Sequence, residues 1–150
     1  MNNYEINSNT IALIPLDEFK TKVIEVSHSF IVNMNSMKII ERSCEFFGSS
    51  YIGRHEGTKK LMGISYKSPI IIEESRNIIY FPTTSPRLSD CAWFSLNHIS
   101  NYEENNGKSI IFFENGDNIE IDVSVNSFDN QFLRATKLES ILRKQKLKFE

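Results

Sequence analysis

The sequence is poor in the residues that build covalent or metal staples. It has two cysteines, Cys44 and Cys91, in 150 residues, and no CxxC pair. That excludes a disulfide framework, and a reducing compartment keeps both as thiols. Zinc ligands can be drawn from Cys44, His55, Cys91 and His98, but their separations are not those of a zinc finger. No metal or other cofactor is expected. No apolar run approaches a membrane span, and "MNNYEINSNT" lacks the basic start and apolar block of a signal peptide. A cytoplasmic protein without membrane attachment is therefore expected. There is no Walker loop or dinucleotide fingerprint: "GSSYIG" does not follow a strand–helix unit with the required lysine and threonine. A Cys-His nucleophile pair has no third group to orient it, so no enzyme is expected. A clear helix-turn-helix pattern is also missing. The charge is not strongly basic, with 17 Lys and Arg against 19 Asp and Glu, and the pI is about 6.0. That counts against a uniformly basic nucleic-acid binder but leaves room for one basic face.

What is present fits one ordinary domain. The chain is 40% apolar and 24% charged, and it is long enough to bury a real core. No linker, repeat or low-complexity segment divides it. "YEINSNTIALIP" reads as a strand or short hairpin, and "TKVIEVSHSFIVN" as a strand. Ser36 is placed to cap a helix in which Met37, Ile40, Cys44 and Phe47 recur at helical spacing, closed by Gly48. "SSYIGRHEGTKKLMG" reads as a second helix weakened by Gly53 and Gly57. "PIIIEE" and "IIYFP" are strands around "SRN", "TTSPRLSD" is a loop, and "AWFSLNHI" is a strand. "KSIIFFENGDNIEIDV" reads as two strands around a type I′ turn at Asn115-Gly116. From near Ser127, Phe128, Phe132, Ala135, Leu138 and Leu142 mark an amphipathic helix, with Asn130, Arg134, Lys137 and Lys144 on its other side. The predicted fold is α+β: a single domain of mostly antiparallel β-sheet, with a helical insertion near residues 36–63 and a C-terminal amphipathic helix.

Charge is unevenly placed. From Arg134 onward Arg134, Lys137, Arg143, Lys144, Lys146 and Lys148 face only Glu139 and Glu150, whereas Glu103 to Asp122 is acidic. A second basic cluster lies in "RSCEFFGSSYIGRHEGTKKL", residues 42–61. There Arg54, Lys59 and Lys60 supply charge, Ser49 and Ser50 supply hydroxyls, and backbone N–H groups at Gly48 or a helix start can hold phosphate. Two readings of this stretch stand side by side. It receives phosphate, as a glycine-serine loop beside arginine and lysine can. Alternatively, it is a tight turn whose glycines let helices pack and whose bases lie on a wet face.

The blocks "YEINSNTIALIP", "FIVNMNSMKIIERSCEFFGSSYIGRHEGT", "ISYKSPIIIEESRNIIYFPTTS", "CAWFSLNHI" and "NSFDNQFLRATKL" resemble the ComK family of competence transcription factors of Gram-positive bacteria. They occur in the family's order over nearly the whole chain. The resemblance implies that residues 1–150 are one DNA-binding domain of a cytoplasmic, nucleoid-associated transcriptional activator. It also implies binding to paired AT-rich promoter boxes of DNA-uptake genes, largely through the minor groove, as a homo-oligomer (a dimer or dimer of dimers). RNA polymerase is a further implied partner. "RKQKLKFE" lacks the aromatic–proline motif by which an adaptor delivers longer members to a protease, which argues against that route and resembles the shorter, second-copy type of member. The alternative is a regulatory or protein-interaction module of the same fold that forms oligomers with a longer relative without activating by itself. On the resemblance and the charge pattern together, the candidate DNA contacts are Arg42, Ser49, Ser50, Tyr51, Arg54, Lys59 and Lys60, then Arg87 in its loop, then Asn130, Arg134 and Lys137 on the last helix.

Overall fold

The computed structural model describes residues 1–148. Its element order is β1 (Thr10–Pro15), β2 (Thr21–Glu25), β3 (Ser29–Val32), α1 (Ser36–Phe46), α2 (Tyr51–Met62), β4 (Ile70–Glu73), β5 (Ile78–Pro82), β6 (Trp93–Ser95), β7 (Ile99–Asn105), β8 (Lys108–Phe113), β9 (Asn118–Ile121) and α3 (Val125–Leu147). The first six strands form one sheet in the order β3-β2-β1-β6-β5-β4, and the last three form a second, β7-β8-β9. Every pairing is antiparallel. The single α+β domain with a helical insertion and a C-terminal helix is as the sequence predicts.

The six-stranded sheet is covered on both faces, and the alternation along its strands sorts residues between two cores. Ile71, Ile79, Phe81, Ala92 and Phe94 point toward the second sheet and α3. Ile70, Ile72, Ile78, Tyr80 and Trp93 point toward α1 and an N-terminal arm that buries Tyr4 and Ile6. This explains why "PIIIEE" and "IIYFP" are apolar without a break. The aromatic centre of the first core is Phe128 of α3, with ring centroids 5.4 Å from both Phe81 and Phe94 and 5.1 Å from Tyr102.

Several local readings need correction. "TKVIEVSHSFIVN" is a hairpin of two strands, closed by Glu25 N–H donating to the His28 carbonyl at 2.8 Å; its turn contains no Gly, Pro or Asn to announce it. The strand in "AWFSLNHI" ends at Ser95, and Leu96–His98 is a 3-10 turn leading into β7. The two-residue turn with both φ positive is at Asn106 (52°) and Gly107 (81°), between β7 and β8. At Asn115-Gly116 only the glycine has positive φ, 94°. There Gly116 N–H donates to Phe113 and Phe113 N–H to Asp117, a three-residue loop rather than a type I′ turn. The cap of α1 is Asn35, one residue before Ser36, its side chain accepting from Met37 N–H at 2.9 Å. The last helix begins at Val125, capped by Ser124.

Candidate nucleic-acid interface

The segment that closes α1 and opens α2 spends nearly all its polar groups on the backbone. Gly48 (φ 83°) donates to the Glu45 carbonyl, and Ser49 N–H donates to the Cys44 carbonyl at 3.0 Å. Together these satisfy the orphan carbonyls at the end of α1 in a Schellman arrangement. Ser50 then caps α2, its Oγ accepting from Gly53 N–H at 3.0 Å. A Cβ on Gly53 would stand 3.1 Å from that Oγ, so the glycine makes room for the cap. Gly63 (φ 72°) ends α2, donating to the Lys59 carbonyl. The "GSS" of the sequence is therefore a helix stop joined to a helix start. The connector Phe47–Ser50 is four residues long and contains glycine, a length shared with helix-turn-helix pairs.

The cations fall into two groups. One group is held by the protein itself. Arg54 is half-buried, with 17% of its side chain exposed, and its Nη1 lies 3.3 Å from Glu74 Oε1; its buried Nε has no partner. Arg134, at the border of the α3 core stripe, donates to the Tyr66 carbonyl at 2.8 Å and to Gln131. Arg42 donates to Asn3 at 2.9 Å and pairs with Glu5 at 3.7 Å, pinning the N-terminal arm to α1. Lys146 donates to the Glu74 carbonyl and to Asn77. The other group is exposed and has no ion-pair partner among the described residues: Lys59 and Lys60 on α2, Arg87 in the loop 83–90, and Lys137 and Lys144 on α3 beside Asn130, with Lys20, Lys22, Lys38, Arg76 and Lys148 placed singly elsewhere. On α2, Lys59 follows Tyr51 and His55 at four-residue spacing, while Lys60 lies about 100° further round the helix. Tyr51 is half-buried, and burial, with smaller contributions from Cys91 and Cys44, pushes its phenol up to about 12.

Helix α3 also fixes the loop that follows α2. Gln131, 4% exposed, donates to the Lys67 carbonyl at 2.7 Å and to the Pro82 carbonyl at 2.9 Å. With Arg134 on Tyr66, two adjacent residues of this loop are gripped by one helix. Lys67 takes a left-handed φ of 50° there, and its Nζ sits 5.3 Å from the Tyr66 ring centroid. Sequence reasoning missed Lys67 and Tyr66, because nothing in "ISYKSP" marks them apart from other loop residues.

At the far side of the first core, the three-stranded sheet carries Glu103, Glu104, Glu114, Asp117, Glu120 and Asp122 against Lys108 alone. The structure thus separates charge: a carboxylate-rich sheet and a lysine-rich pair of helices. The cysteines and histidines do not converge. Burial pushes the Cys44 thiol up to about 11 and raises that of Cys91, while His98 turns its Nδ1 to Ser95. Both cysteines behave as small apolar residues of the second core.

The family model described as ComK protein matches residues 1–147. The "Competence transcription factor" of Bacillus subtilis (strain 168) is 38% identical over 144 residues, covering 93% of this chain and 75% of that protein. No solved structure matches the chain. The chain belongs to the ComK family.

Proposed function

We propose that this ComK-family chain is a transcriptional regulator of competence that binds DNA through its helical end: α2, the loop after it, Arg87 and the exposed stripe of α3. The observation that carries this reading is the charge separation. On a chain of net charge -2, Lys59, Lys60, Arg87, Lys137 and Lys144 are exposed without an ion-pair partner among the described residues and gather on α2, α3 and the Arg87 loop, whereas β7–β9 and their loops carry mainly carboxylates; the other exposed, unpaired cations, Lys20, Lys22, Lys38, Arg76 and Lys148, lie outside that group. A duplex approaching that end meets lysines; one approaching the other end meets carboxylates. Lys59, Lys60, Lys137 and Arg87, with Asn130, are the proposed direct contacts. Arg54, Arg134 and Arg42 are positioning residues, since each is already bound to a protein acceptor. Ser49, Ser50 and Tyr51 hold the start of α2, whose N-terminus can still face a phosphate.

The proposed targets are paired AT-rich promoter boxes, approached largely through the minor groove by a homo-oligomer that activates transcription together with RNA polymerase. No helix among the described residues is long and apolar enough to cross a membrane; the cytoplasmic, nucleoid-associated location belongs to the proposal. A second reading has its own support: the four-residue connector between α1 and α2 would suit major-groove docking. Exchanging A·T for I·C pairs separates the two, because it leaves the minor groove similar and changes the major groove. Labelled AT-rich duplex is expected to bind, to tolerate the exchange, and to be displaced by a minor-groove ligand such as distamycin. Loss of binding on I·C exchange would move the contact to the major groove. Absence of duplex binding would favour the oligomerising, non-activating module.

A further inference from the structure

Beside the helical end lies a cleft of about 320 Å³ between α2, the Ser65–Ser68 loop and the loop carrying Arg87. This is at the lower end of the size that holds small ligands. Its walls are apolar and aromatic, from Met37, Tyr51, Tyr66 and Pro86, and its polar groups include His55, Lys67 and Arg87. These three bases come from three different segments of the fold. The lining contains no carboxylate, in a chain with 19 of them. Each of four other concavities contains at least one: Glu25 and Asp117, Glu5 and Glu45, Asp90 with Glu120 and Asp122, or Glu18. Ser68, also on the lining, is 2% exposed, yet its hydroxyl has no hydrogen-bond partner. A buried hydroxyl left unpaired costs stability, and a ligand oxygen there would satisfy it.

The walls are held in shape before any ligand arrives. His55 Nε2 donates to the Ser65 carbonyl at 3.2 Å, Arg134 grips Tyr66, and Gln131 grips Lys67. Lys67 is kept in a left-handed conformation that a residue with a side chain seldom adopts. Tyr51, its phenol raised by burial, adds no negative charge to the cleft. Preorganised bases facing an aromatic wall suit a flat ring bearing one anionic group.

We propose that this cleft binds a nucleotide unit, its phosphate on Arg87 and Lys67 and its ring against Tyr51 and Tyr66. The phosphate and ring could belong to a free mononucleotide or to one nucleotide of bound DNA; the chemistry is shared. The inference goes beyond the DNA-binding reading and survives its failure, since a chain that ignores duplex can still take a mononucleotide.

Calorimetric titration with adenosine 5′-monophosphate tests it. One molecule is expected to bind per chain, more tightly than inorganic phosphate or adenosine, which each carry half of the recognised chemistry. Affinity should fall roughly tenfold or more in Arg87→Ala and in Tyr66→Ala, and stay unchanged in Arg76→Ala, an exposed base outside the cleft. Circular dichroism of both variants confirms the fold; Arg87 and Tyr66 are exposed, so both are expected to retain it. In wild-type protein, displacement of the nucleotide by AT-rich duplex identifies DNA as the source, and simultaneous binding identifies a free nucleotide; both support the site. No binding of the monophosphate, equal binding of adenosine, or affinity unchanged in both variants would overturn it.

Discussion

Helices α2 and α3 carry similar charge but are held in opposite ways. Helix α3 buries a full apolar stripe, with Phe128, Ala135, Leu138 and Leu142 all inside the first core. Helix α2 buries only Thr58 completely and lies against β4, an edge strand of the six-stranded sheet. Caps hold its ends: Ser50 at the start and Gly63 at the finish. One helix is fixed by a full stripe of hydrophobic burial; the other adds only the partial burial of Tyr51, Leu61 and Met62 to the backbone bonds at its termini. The difference also divides labour. The core helix positions the loop through Gln131 and Arg134, while the edge helix leaves Lys59 and Lys60 exposed.

The largest expected effect tests the burial side of this contrast. Phe128→Ala removes the ring shared by Phe81, Phe94 and Tyr102. It should destabilise the protein by about 3–5 kcal/mol in denaturant unfolding. A loss below about 1 kcal/mol would mean that α3 is not anchored by that cluster. Next comes the link between helix and loop. Gln131→Leu keeps volume but strands the Lys67 and Pro82 carbonyls, with an expected loss of about 1–3 kcal/mol. Faster hydrogen exchange around residues 65–68 should accompany it. Smaller again is the capping effect: Ser50→Ala should cost about 1 kcal/mol, with the loss of helicity confined to the start of α2. If that substitution left exchange at Gly53 unchanged, the cap would not be what holds α2.

The same contrast decides what the sequence discloses. Helix α3 is legible because burial imposes a period, and Phe128 through Leu142 display it. The fold class and the unbroken apolar strands β4 and β5 are legible for the same reason. Strand β7 is not, because "ISNYEEN" turns only Ile99 and Tyr102 toward the core, and its strand character comes from pairing with β8. The true type I′ turn at Asn106-Gly107 went unread with it. In α2 the residue types are legible but their use is not. Arg54 looks like a free cation until Glu74, 20 residues later, is brought to it. Nothing local to Arg134 shows that its Nη1 meets the Tyr66 carbonyl, 68 residues earlier. Partners set by tertiary structure leave no local pattern, so the sequence could mark a basic region without separating bound cations from available ones.

That separation is the central claim, and salt dependence tests it most directly. The slope of log affinity against log salt, for an AT-rich duplex, should be measured for the wild type, the Lys59→Ala/Lys60→Ala/Lys137→Ala variant and Arg54→Ala, each checked for fold. The expected result is a slope shallower by about 0.9 for each lysine that contacts a phosphate, with stability changed by less than about 0.5 kcal/mol, while Arg54→Ala keeps the wild-type slope. An unchanged slope in the triple variant, with a reduced one in Arg54→Ala, would contradict the account.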